Sequence, residues 1–62
     1  MEMGIQDYLK KTLIDTQERV RDFMNYSMET DDDDLKEFFE EYAESEGWHA
    51  RQLQDFIKEV EH

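Results

Sequence analysis

Glu46 and His49, spelled Glu-Gly-Trp-His, are the residues of this 62-residue chain whose types and spacing best suit chemistry. One helical turn apart, a carboxylate and an imidazole can reach one metal ion together or hydrogen-bond to shared partners. The residues around them are apolar at helical spacing: Leu35, Phe38, Phe39 and Tyr42 before the pair, Leu53, Phe56, Ile57 and Val60 after it. At about 100° per residue, Glu46 and His49 fall within roughly 35° of the centre of that stripe. Polar groups of this kind on a buried face are costly unless something pairs with them. Other templates are missing: there is no cysteine, no Gly-rich phosphate loop and no Gly-x-Ser-x-Gly elbow. Met24 and Met28 read as flexible core filler, and Tyr8, Tyr26 and Tyr42 as amphipathic packing residues.

Two helices must position the pair. The absence of Pro, the two Gly and the 40% of charged residues suit long helices. Residues 1–62 read as a single all-α domain, an antiparallel two-helix hairpin. Helix 1 is expected from about Ile5 to Met28, with Ile5, Leu9, Leu13, Val20, Phe23 and Met24 on one face. Thr16 and Ser27 share that face and interrupt it, while Lys10, Lys11, Glu18 and Asp22 point to water. An acidic turn is expected over about 29–33 and helix 2 from about Asp33 to Glu61. Helix capping accounts for the four aspartates Asp31 to Asp34. A calcium loop would need alternating oxygen ligands and a turn Gly, and neither is present.

Small size and patterning point to association. A chain this short sits below the size at which one core usually suffices, and no disulfide makes up the difference. Each apolar stripe is wider than one helix–helix contact, so a lone hairpin would leave aromatic surface wet. A homodimer or higher homo-oligomer is expected, with two hairpins forming a four-helix bundle about a two-fold axis. Eighteen acids against seven bases, a net charge of −11, argue against nucleic acid and against anionic membrane surfaces. No apolar run reaches transmembrane length and no signal-peptide apolar region is evident, so a cytoplasmic location is expected. Trp48 falls off the stripe, among Glu41, Glu44, Gln52 and Asp55. It is a half-buried surface aromatic or the contact point for a protein partner. Gly47 beside it is unfavourable within a helix.

The stretch Phe39-Glu-Glu-Tyr-Ala-Glu-Ser-Glu46-Gly-Trp-His49-Ala-Arg-Gln-Leu53 resembles the Glu-x-x-His helix of the ferritin-like superfamily, rubrerythrins in particular. Thr16-Gln-Glu-Arg-Val-Arg-Asp-Phe23-Met-Asn-Tyr26-Ser27 is similar to the rubrerythrin helix that carries a metal-ligating Glu. The resemblance covers roughly residues 12–57 and corresponds to half of a ferritin bundle, as in the short encapsulated ferritins. It implies a ferritin-like bundle completed by dimerisation, with Glu46 and His49 as ligands to iron.

The chain departs from that pattern at Thr16, which stands where the family has its helix 1 Glu. Asp15 and Glu18 lie roughly 100° or more away from that direction. A dimer then offers two Glu46 and two His49, four strong ligands in place of six. Four such ligands suit one zinc ion or an incomplete di-iron site, not a full ferroxidase centre. The residues themselves leave a second reading open. Glu46 and His49 would form a metal-free polar layer, bonded across the dimer or to Thr16 and Tyr42, that fixes register at some cost in stability.

Overall fold

Gly4 and Asp32 begin the two helices of the computed structural model, which describes residues 4–60. Helix α1 spans Ile5–Glu29 and follows an extended Gly4. Gly4 donates its N–H to the Asp7 carboxylate at 3.3 Å, which places a negative charge in the first turn where the helix dipole favours it. At the other end Thr30 is extended and donates its N–H to the Tyr26 carbonyl at 3.2 Å. Its hydroxyl accepts the Asp32 N–H at 3.2 Å, tightening the link.

Helix α2 spans Asp33–Val60. Asp32 is its N-cap: its carboxylate accepts the Leu35 N–H at 3.0 Å and its carbonyl accepts the Lys36 N–H at 2.9 Å. Asp33 and Asp34 occupy the first turn and Lys58 the last, each at the dipole end that suits its charge. Capping therefore engages three of the four aspartates of the turn. The expected end at Glu61 lies outside the described residues.

The short link folds α2 back antiparallel on α1. Tyr26 meets Phe39, Phe23 meets Tyr42, and Arg19 meets Glu46. Near the turn this builds an aromatic cluster. Phe23 stacks on Tyr42 with centroids 4.1 Å apart, and Phe23 and Tyr26 each lie 5.7 Å from Phe39. Pairs of this kind contribute about 0.5–1.5 kcal/mol each beyond their buried area.

The centre of the helix contact differs from the apolar stripe expected for α1. Among the described residues the buried ones are Thr16, Ser27, Ala43 and Ala50, all small, while Ile5 and Met24 are exposed. Two helices with nothing above or below them approach most closely where side chains are short, and the larger residues flank that line. Burial leaves neither hydroxyl unpaired. Ser27 donates to the Met24 carbonyl at 2.6 Å, and Thr16 Oγ1 accepts from Arg19.

The hairpin measures 45 × 22 × 11 Å, so it is one helix thick. Among the described residues nothing covers its broad faces. Leu35, Phe38, Tyr42, Phe56 and Val60 remain between 37% and 55% exposed along one side of α2. No helix among the described residues is long and apolar enough to cross a membrane.

Candidate functional site

Thr16, one turn before Arg19, and Ala43, one turn before Glu46, bring the mid-points of α1 and α2 close together. Glu46 then reaches across the hairpin. Its Oε2 accepts from Arg19 Nε at 2.6 Å, and its Oε1 lies 2.9 Å from His49 Nδ1. Arg19 Nη2 donates to Thr16 Oγ1 at 3.1 Å. Thr16, Arg19, Glu46 and His49 thus form one chain of hydrogen bonds. With Thr12, Gln52, Leu53 and Phe56 they line an open groove of about 350 Å³.

Burial divides the four residues. The Glu46 side chain is 13% exposed, against 44% for Arg19 and 55% for His49. Glu46 is therefore the group that most needs partners, and both of its oxygens have one. Arg19 holds the Glu46 carboxyl below its ordinary range, His49 adds to the effect, and Glu46 in turn raises Arg19.

That shift has a testable sign. A carboxylate held below its unfolded pKa stabilises the fold fully above the unfolded value and loses that contribution as pH falls through the folded one. Acid titration is expected to show the Glu46 contribution being lost as pH falls below about 4.3, the ordinary value of a Glu carboxyl. Glu46→Gln is expected to remove that loss. An unchanged profile in the variant would show that the Arg19–Glu46 bond carries no stability.

The pair singled out by its spacing is brought together, but with a third member. Within one hairpin, Tyr42 and Thr16 are the expected polar partners of Glu46 and His49, the alternative being partners across a dimer. Tyr42 instead stacks on Phe23, and Thr16 is bonded to Arg19. Arg19 sits one turn after Thr16 at a roughly 60° offset from it, at the margin of the helix face, where nothing in the sequence singles it out. Its long side chain can cross a helix contact that Asp15 and Glu18 cannot cover.

A metal ion has a poor seat in one chain. Among the described residues no three His, Cys, Asp or Glu side chains converge. The guanidinium of Arg19 already holds one Glu46 oxygen and places a fixed positive charge where a cation would sit. The donor set of a single hairpin therefore does not fit an iron or zinc ion.

Trp48 lies on the far side of α2, 58% exposed, beside Glu41, Glu44, Ser45, Gly47 and Arg51. A Cβ built on Gly47 would meet nothing within 4 Å, so contacts inside the chain do not require the glycine.

Fold and site together define an antiparallel helical hairpin with a polar relay across its middle and one apolar face left open. Comparison with protein-family models, with curated proteins and with solved structures gives no match.

Proposed function

We propose that the chain is a self-associating helical module. Two copies pack their open faces into a four-helix bundle, and Thr16, Arg19, Glu46 and His49 form a metal-free polar layer inside it. The observation that carries this reading is the double engagement of Glu46. One oxygen is bonded to Arg19 and the other to His49, so the most deeply buried group of the layer is satisfied and Arg19 supplies its counter-charge. Such a layer costs less to bury than a lone Glu-x-x-His pair, and it disfavours any register that leaves it facing apolar side chains. Trp48 and the acidic outer side of α2 stay outside the bundle, where a partner protein would meet them.

The resemblance to ferritin-like hairpins supports a second reading, in which the dimer holds iron or zinc through two Glu46 and two His49. His49 favours it, since its ring is on the open face and only Nδ1 is engaged. In that state Arg19 must release Glu46. The two readings separate on adding metal. A polar layer is expected to leave the melting temperature within about a degree when Zn(II) or Fe(II) is added to chelator-treated protein. Binding at 100-fold excess over Kd adds about 2.7 kcal/mol, which shifts melting by several degrees. Stoichiometric metal with such a shift would overturn the metal-free reading.

A further inference from the structure

We infer that the second copy docks about a two-fold axis crossing α2 between Glu46 and His49, and α1 between Thr16 and Arg19, so that each His49 faces the partner's Glu46. This rests on the self-association proposed above and adds its direction and register.

The spacing of α2 is the first argument. From Leu35 through Phe39 and Tyr42 to Glu46 the steps are four, three and four residues. From His49 through Leu53 and Phe56 to Val60 they are again four, three and four. The step between Glu46 and His49 is three, so the whole seam alternates as a coiled-coil repeat and reads the same from either end. Two such helices laid antiparallel about the mid-point set Leu35 on the partner's Val60, Phe39 on the partner's Phe56, and Tyr42 on the partner's Leu53. Glu46 then meets the partner's His49. A parallel pairing in register would instead set carboxylate on carboxylate.

Helix α1 has a matching symmetry. Leu9, Thr12 and Thr16 are spaced three and four apart, and Arg19, Phe23 and Tyr26 four and three. This row is also symmetric, about the step between Thr16 and Arg19, with Thr16 itself covered by α2 beneath the open face. The 2.6 Å bond from Arg19 to Glu46 and the stacking of Phe23 on Tyr42 set the two mid-points at the same level. One axis can therefore serve both helices, a condition that an isologous interface must meet.

Area and charge name the occupant. The broad face spans 45 × 22 Å, roughly 1,000 Å², against about 800 Å² per partner in a standard stable interface. The two seams carry one Arg and one Glu, so the seams are neutral on a chain of net charge −11. A second copy can approach here with least repulsion.

The chain has no cysteine, so engineered thiols report on register without interference. Chains with Leu35→Cys are mixed with chains carrying Val60→Cys and oxidised, with mass by sedimentation and helicity by circular dichroism read in parallel. The expected result is a disulfide-linked dimer from the mixture and almost none from either variant alone. The two copies of position 35 would lie roughly 37 Å apart, far beyond disulfide reach. Tyr42→Cys with Leu53→Cys is expected to follow the same rule. Cross-linking of each variant with itself would overturn the register in favour of a parallel one. A dimer by mass that links in neither test would overturn it too, while leaving self-association standing. A monomeric mass for the unmodified chain would overturn both.

Discussion

Phe56→Glu is expected to dissociate the proposed dimer. Phe56 is 55% exposed in the hairpin and lines the groove beside the polar layer, so its loss costs the single chain little. In the proposed bundle it would anchor the second interface. Phe56 is 55% exposed, so covering what remains contributes about 0.8–1.6 kcal/mol, and the two-fold axis counts the loss twice. About 1.6–3.2 kcal/mol corresponds to a dimer dissociation constant raised by roughly 10- to 200-fold. The added carboxylates also increase repulsion between two chains already at −11 each. Sedimentation equilibrium across a hundred-fold concentration range would measure the change. Undiminished dimerisation would show that this face is not the one that associates.

Ala43→Leu is expected to act inside the hairpin. Ala43 is 2% exposed and lies beside Val20, Met24 and Ser27 where the helices approach. Three added carbons at that point must push the helices apart, at a cost of about 1–3 kcal/mol. A chain of this length has about 3–9 kcal/mol of stability in all, so a large part is lost. Thermal unfolding followed by circular dichroism is expected to show a clear fall in melting temperature. Glu44→Leu, at an exposed neighbouring position, is expected to stay within about 0.5 kcal/mol of the parent. Equal effects at the two positions would contradict the close approach at Ala43.

Both helices and the turn between them are legible in the sequence, because Pro is absent and the apolar residues of Leu35 to Val60 keep helical period throughout. The aspartates of the turn are legible as caps for the same local reason: the N–H groups of a first turn need acceptors nearby. The centre of the contact is not. Hydrophobicity points to Leu, Phe and Ile, whereas closest approach of two backbones is decided by side-chain size, and Thr16, Ser27, Ala43 and Ala50 carry little hydrophobic signal.

The candidate site is half legible. Glu46 and His49 stand out because they interrupt an apolar stripe. Arg19 does not, since an arginine at the margin of a helix face reads as solvated until the partner helix is in place. Its bond to Glu46 depends on a pairing 27 positions apart in the chain, which periodicity within one helix cannot specify. The consequence is chemical. Without Arg19 the pair resembles the ligands of a metal centre. With it, Glu46 has a counter-charge supplied by the protein itself.

Sedimentation equilibrium of the unmodified chain near neutral pH, with chelator present and at two salt concentrations, tests the proposed assembly most directly. One chain has a mass of 7.6 kDa, so a dimer of twice that mass is expected without any metal. Added salt is expected to tighten it by screening the repulsion of two acidic bodies. A mass of 7.6 kDa at all concentrations, or a dimer that appears only when metal is restored, would contradict a metal-free bundle.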